Sequence, residues 1–594
     1  MCRIAGALSP SLQKQELDVI VNKMCFVQKH GGPDGNGTYS NPAFNGVLGH
    51  CRLSIIDLSD AGQQPMSYSH RDNNYTITYN GEIYNYQELK KSLKNYGYAF
   101  SSNSDTEMIM AAYDKWGENA FELFSGMFAF ALLDHSKNEL ILARDVSGIK
   151  PLYYANTTQL FAFASEVRAL KQVPQLNNEN PDWQVHFMAY GHLPEPVTTL
   201  KEVTPLAKGS YLVYDIARGR TTTSTFDRLS YLEKTDSHKQ AIELIKQKFS
   251  QAIERHLVSD APLGVFLSGG LDSSVIAMLA AKQTTLSTVS LHFENSLYSE
   301  KKYQDELVKQ LSCEHHSFLL TEENFHQSLP GIIKAMDLPC CDGINTWYIS
   351  RFAKESGLKT VLSGIGGDEL FGGYPSFSRI KMASLLAKMP GKLLRASSKG
   401  QSKRFRRLGY LSINGAVGKY LFLRGHFIPS DIAAHLGMDE AAVWQILEET
   451  PLVPGIDYLS YGNQASWLET NLYMQNQLLR DADVMSMAHG LEIRVPFLDK
   501  EFLKTVFAIS SNIKYQGKNS KQLLVDAFGH QLPASIWNRP KMGFSFPFTE
   551  WFANSRYAAT GNREVDAAFI KFKEGKLHWS HFFTLMLLAS HNNE

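Results

Sequence analysis

The chain has 594 residues, 44% hydrophobic and 20% charged, values of an ordinary folded protein and far from disordered or collagen-like compositions. Lys+Arg and Asp+Glu are both 59, so no net field draws the chain to nucleic acid or an anionic membrane, and small-molecule chemistry is favoured. The length exceeds what one hydrophobic core usually supports, which predicts two large domains and leaves room for a helical extension.

In chain order, the start Met1-Cys2-Arg3-Ile4-Ala5-Gly6 lacks the apolar core of a signal peptide, and no apolar run spans a bilayer. A cytoplasmic location is therefore expected. Residues 1–215 read as short β-type runs broken by Gly, Asn and Pro, among them Tyr75–Tyr79, Gly126–Leu133, Glu139–Ala143 and Leu160–Ala164. They predict a β-rich layered domain. The polar stretch Arg218–Thr235 is the expected linker. Helical periodicity over Lys239–Leu257 then leads into an apolar strand Leu263–Leu267, a Gly-rich turn and an apolar helix from Ser273. Further apolar strands at Leu286–Phe293 and Lys359–Leu362 predict a parallel α/β sheet with ligands at its carboxyl edge. The basic stretch Arg379–Arg407 lacks the interleaved aromatics of single-strand binders and reads as a solvated insertion. The six cysteines form neither a disulfide framework nor a zinc pattern, and Cys340, Cys341, His315 and His316 are poorly spaced for a metal.

Cys2 becomes chemically distinctive if Met1 is removed, because nucleophile and base then share one residue. An α-amine of ordinary pKa, about 7.7–8.0, can take the thiol proton near neutral pH. A second-position cysteine alone means little, but its company is specific. At Met1–Gly6, His30-Gly31-Gly32-Pro33-Asp34, His50-Cys51-Arg52-Leu53-Ser54-Ile55, Asn80-Gly81-Glu82-Ile83-Tyr84-Asn85 and Ser104-Asp105-Thr106-Glu107 the sequence resembles class II glutamine amidotransferases. The resemblance implies Cys2 as thiol nucleophile, Asn80 and Gly81 as oxyanion donors, Arg52 for the glutamine α-carboxylate, and Glu82 with Asp105 for its α-ammonium. Two departures stand out. The family usually has a small residue where Arg3 stands and His-Arg-Gly-Pro-Asp where this chain has Gly31, so a cation is expected to be missing near the pocket. Arg144-Asp145, Gly148–Tyr154 and Phe163–Glu166 also match and read as scaffold and domain interface.

Ser268-Gly269-Gly270-Leu271-Asp272-Ser273-Ser274 lies between strand and helix, where backbone N–H groups and the helix dipole favour phosphate. It lacks the Gly-Lys-Ser/Thr ending of a Walker A loop and resembles the loop of enzymes that cleave ATP to AMP and pyrophosphate. Ser363-Gly364-Ile365-Gly366-Gly367-Asp368 through Tyr374, Asp483–Ala488, Leu491–Asp499 and Arg539-Pro540-Lys541-Met542-Gly543-Phe544 follow in the order of an asparagine synthetase. The whole chain resembles that family. The resemblance implies an Ntn-hydrolase-type αββα sandwich over 1–215 and a parallel-sheet, adenine nucleotide α-hydrolase-like domain with a helical extension over 216–594, an α+β unit followed by an α/β unit. It also implies ATP contacts at Leu267, Ser268, Gly269, Gly270, Asp272, Ser273, Ser274, Leu291, Ser363, Gly364 and Lys521, Mg²⁺ on Asp272 and Asp368, and Lys541 as the catalytic cation.

The expected function is glutamine-fed, ATP-dependent amidation of a carboxylate through an acyl-adenylate, with ammonia carried along an apolar channel. The partners are small molecules: glutamine, ATP and the acceptor. The sequence leaves the oligomeric state open, with a homodimer among the options. Aspartate is the first acceptor candidate, yet family members usually carry Glu at Ile365 and an acidic residue at Gln477, changes expected to remove negative charge beside the acceptor. A sugar acid or natural-product intermediate is the alternative. Ring closure with an idle glutaminase is opposed by the retained Cys2, Asn80, Gly81 and Asp105, and a non-catalytic regulatory role by Cys2, Asp272, Asp368 and Lys541.

Overall fold

The computed structural model describes residues 2–41, 45–400, 402–449, 455–543, 546–554 and 562–591, so Met1 and Phe544 of the motifs above lie outside the described residues. Strand β1 (Arg3–Leu8) shows how the first unit forms. Because side chains alternate across a strand, Ile4 and Leu8 enter a core between two sheets, whereas Ala5 and Ala7 face the helix Lys14–Val27 and its buried Leu17, Val21 and Met24. The small alanines let that helix lie close to the sheet.

β1 sits in a six-stranded sheet with β2 (Gly35–Asn41), β3 (Gly46–Arg52), β8 (Tyr153–Asn156), β9 (Phe161–Ala164) and β10 (Thr204–Pro205), in the order β10-β8-β9-β1-β3-β2. A second six-stranded sheet, β12-β11-β7-β6-β5-β4, contains β4 (Met66–His70), β5 (Asn73–Ile83), β6 (Gly126–Asp134), β7 (Glu139–Arg144), β11 (Ser210–Asp215) and β12 (Arg220–Thr225). Leu48, Ala131, Leu142, Phe161, Phe163 and Leu212 fill the space between the sheets. The helix Lys14–Val27 covers one outer face and the helix Asp105–Trp116 packs on β4 and β5 at the other. The expected αββα sandwich is present. The linker expectation is corrected, since Arg220–Thr225 pairs with β11 as an edge strand past residue 215.

The second unit is built on a five-stranded, all-parallel sheet of β13 (Leu263–Phe266), β14 (Leu286–His292), β15 (Cys313–Leu319), β16 (Thr360–Leu362) and β17 (Glu492–Arg494), in the order β15-β14-β13-β16-β17. β13 is the first strand in sequence and lies centrally, so the direction of winding reverses between β13 and β16. Crevices at such a reversal, outside the carboxyl ends of the strands, are where ligands bind in open α/β sheets. Helices Leu271–Ala281 and His238–His256 pack against this sheet and its surroundings, and Phe249 of the latter contacts Phe497, Phe502 and Phe528. Between β16 and β17 the chain inserts a set of helices that includes the basic stretch, where Ser376–Leu386 and Gly391–Ser397 are helices, and further helices follow β17. Among the described residues no helix is long and apolar enough to cross a membrane.

Candidate active site

Cys2 immediately precedes β1. Arg3 pairs with Cys51 across the antiparallel ladder, so one further step places Cys2 opposite Arg52. The thiol is half-buried and its Sγ lies 3.8 Å from the Leu53 carbonyl oxygen. Burial pushes the thiol upward, Glu82 adds to that rise, and Arg52 opposes it. Arg52 is itself anchored, its guanidinium donating to the carbonyls of Ser59 (2.9 Å) and Asp57 (2.6 Å).

β5 supplies the rest of this site. Asn80 is fully buried, and both its amide nitrogen and its oxygen lack partners within the protein. A buried primary amide without partners is costly, and a substrate oxygen would satisfy it. Gly81 follows at φ +154°, with a notional Cβ only 2.1 Å from the Met127 carbonyl oxygen, so no side chain fits there. Glu82 and Asp105 are buried carboxyls held above the usual range, Glu82 by burial and then by Glu492, Asp105 by burial. Asp105 accepts from the Tyr79 hydroxyl (2.8 Å) and the Ile83 N–H (2.9 Å). A substrate ammonium would favour their ionised forms. Sequence reasoning did not anticipate Arg494, which comes from β17 of the other unit. Its Nη2 is 3.8 Å from Glu82 Oε1, and its Nε donates to Glu492 Oε1 at 2.6 Å.

The second site opens where the sheet winding reverses. The loops after β13 and β16 leave adjacent strands and pack closely, since a Cβ on Gly364 would stand 3.0 Å from Asp272 Cβ. They bound a cavity of about 460 Å³, inside the roughly 300–1,000 Å³ range of small-molecule sites. Leu267, Ser268, Gly270, Asp272, Ser273, Leu291, Ser363, Gly364, Asp368, Lys521 and Lys541 all line it. Gly269 and Ser274 do not. Gly269 turns the chain at φ +83° and its carbonyl accepts from Arg539, while the Ser274 hydroxyl donates to the Gly270 carbonyl.

Lys521 bridges Asp272 and Asp368, and Lys541 reaches Asp368 at 2.6 Å. Burial works to raise Asp368, but Lys521 and then Lys541 outweigh it and leave this carboxyl below its usual range. Asp272 Oδ1 is buried and has no partner among protein groups. Two carboxylates facing one cavity, one with an orphaned oxygen, fit the hard oxygen donor set that Mg²⁺ takes. No cluster of three or more metal-binding side chains occurs among the described residues.

Asp342 and Asp481 also line the cavity, together with Ile365, Tyr374 and Tyr473. Gln477 is buried and donates to Asp342 Oδ2 at 3.2 Å. Ile365 and Gln477 are uncharged, and the carboxyls that line the same cavity, Asp342 and Asp481, come from other positions. Asp481 follows a π-helical segment, Glu469–Leu479, set between the helices Tyr461–Leu468 and Arg480–Met487. Such segments often accompany functional sites, and the apolar pattern of the sequence carries no signal for it.

A family model described as Glutamine amidotransferase domain matches residues 1–227, and one described as Asparagine synthase matches residues 244–567. A glutamine amidotransferase unit joined to an asparagine synthase unit defines the class. The chain is 31% identical to glutamine-hydrolyzing asparagine synthetase 1 of Bacillus subtilis (strain 168), over 93% of this chain and 88% of that protein. It is 30% identical to a putative glutamine-hydrolyzing asparagine synthetase of Mycobacterium bovis, over 94% and 89%, and 28% identical to asparagine synthetase B of Escherichia coli (strain K12), over 92% and 82%. The chain belongs to the glutamine-hydrolysing asparagine synthetase family and is an enzyme of that type.

If the orphaned Asn80 amide receives the oxyanion, Asn80→Ala lowers glutaminase kcat by roughly 10²–10³ while KM for glutamine changes little, as for loss of one such donor elsewhere. Steady-state glutamate release measures this, and an unchanged kcat rules Asn80 out of that role.

Proposed function

We propose that Cys2, exposed as an N-terminal residue after removal of Met1, attacks the side-chain amide of glutamine, and that the ammonia released is consumed in the second site by an ATP-activated carboxylate. In this reading the Cys2 amine takes the thiol proton, Asn80 and the Gly81 N–H hold the oxyanion, and Arg52, Glu82 and Asp105 hold the amino-acid end of glutamine. Ser268, Gly270 and Ser273, with Ser363 and Gly364, receive the phosphates of ATP, while Gly269 and Ser274 shape the first loop. Asp272 and Asp368 would hold Mg²⁺, which neutralises phosphate charge when bound. Lys541 and Lys521 offset the charge that develops on the departing pyrophosphate as the acyl-adenylate forms, and ammonia then displaces AMP. The observation that carries the reading is that both motif loops open into one cavity with two lysines and two carboxylates at its phosphate end.

Asp342 and Asp481 in the cavity lining favour an acceptor that carries an ammonium group as well as a carboxylate, and aspartate is the first candidate. Purified enzyme given glutamine, ATP, Mg²⁺ and aspartate is expected to form asparagine, glutamate, AMP and pyrophosphate. Cys2→Ala is expected to abolish the glutamine-driven reaction while ammonium salts still support synthesis at a rate close to wild type. Loss of both activities together contradicts two separate sites.

Asp481 gives a pH test. Burial, with Asp342 adding to it against Arg480, raises this carboxyl to about 7. A raised carboxyl pKa means that the anion is present above that pH and lost below it. KM for the acceptor is therefore expected to rise as pH falls through about 7. Asp481→Asn should raise KM at pH 8 by about 10- to 100-fold, the worth of one charged hydrogen bond, and flatten its pH dependence. An unchanged KM removes Asp481 from acceptor binding.

A further inference from the structure

Arg3, next to the nucleophile, has none of its surface exposed. Its Nε donates to Glu166 Oε1 at 2.6 Å within its own unit, and its Nη1 donates to Asp483 Oδ2 at 2.7 Å in the synthetase unit. Glu166 also holds His30 (3.0 Å) and Arg168 (2.9 Å), and Lys150 stands 3.6 Å from Asp483. The Gly148–Tyr154 and Phe163–Glu166 stretches, expected at a domain interface, are at one.

Two further observations give this cluster a direction. Asp483 lies on the helix Arg480–Met487, whose Asp481 lines the cavity, so one helical turn joins a cavity residue to the side chain next to Cys2 in sequence. A Cβ added to Gly31 would stand 2.8 Å from Arg3 Cγ, 3.0 Å from Arg3 Nε and 3.2 Å from Met487 Cε. Arg3 therefore fills the room above Gly31, and a side chain at 31 and a long one at 3 exclude each other. The arginine at position 3 thus occupies space that a side chain at position 31 would need.

We propose that Arg3 is a positioning residue that couples the two sites: its ion pair with Asp483 ties the strand start carrying Cys2 to the helix carrying Asp481, and Arg3 with Gly31 is a reciprocal exchange of one arginine between two positions. A buried ion pair is weak evidence for added stability, but removing one partner leaves an uncompensated charge, which suits it to fixing one arrangement of the two units. The proposal rests on the functional reading above and adds the residue that links its two halves.

The test uses the full-length enzyme and the ratio of glutamate formed to acceptor amide formed, together with the synthesis rate when ammonium chloride replaces glutamine. Wild type reports on the functional reading by itself: a ratio far from one shows that reading, not the role of Arg3, to be at fault. Arg3→Ala is expected to raise the ratio roughly 5-fold or more, the lower end of measured inter-site couplings, while the ammonium-driven rate stays within about twofold of wild type. The double variant Arg3→Ala with Gly31→Arg is expected to bring the ratio back toward wild type. The proposal is overturned if Arg3→Ala keeps the wild-type ratio, or if its ammonium-driven rate falls in parallel with its glutamine-driven rate. It is equally overturned if the double variant is as uncoupled as Arg3→Ala or does not fold. Should Arg3→Ala alone not fold, the double variant decides on the same ratio.

Discussion

Two buried arginines cross between the units in opposite directions, and the rest of the architecture depends on them. Arg3 leaves the amidotransferase unit for Asp483, and Arg494 leaves the synthetase unit for the neighbourhood of Glu82. Neither is exposed to water. A charge removed from water must find its partner or incur a large desolvation cost, so Arg3 and Asp483 satisfy each other only when the units are docked. Asp34 with Lys359 and Asp337 with the Val167 and Arg168 N–H groups add partly buried contacts across the same boundary. Docking is thus specified by charge as well as by shape.

The consequence for chemistry is geometric. β17, which carries Arg494, is hydrogen-bonded to β16, and the Arg494 carbonyl accepts from the Ser363 N–H at the start of the second nucleotide-type loop. A glutamine ammonium beside Glu82 would therefore sit one side chain and one strand away from that loop. On the other face, the helix holding Asp483 also holds Asp481. Both routes between the sites run through buried arginine side chains held by carboxylates.

Much of this fold is legible in the sequence, for physical reasons that also mark where legibility ends. Tyr75–Tyr79, Gly126–Leu133 and Leu286–Phe293 read correctly as strands because a buried strand needs apolar, β-branched or aromatic residues. The Thr-rich Arg220–Thr225 reads as linker because an exposed edge strand needs no apolar face, although threonine suits a strand well. The paired loops at Ser268 and Ser363 were legible from glycine and serine spacing after apolar strands. Asp342, Asp481 and Arg494 were not assigned roles, since their roles depend on which unit they meet rather than on local pattern. Arg3 and Gly31 were each visible as departures, yet only the packing of one against the other shows them to be one change.

The central claim is that these crossing contacts hold the two sites in one arrangement, and with the proposed function it implies that nitrogen passes between them without mixing with solvent. It is tested most directly by supplying glutamine labelled with nitrogen-15 at its amide, together with a large excess of unlabelled ammonium chloride, and measuring the label in the amide product. The account predicts a product that keeps the nitrogen-15 of glutamine despite the competing ammonium. A product whose label is diluted to the proportion present in bulk solution contradicts it.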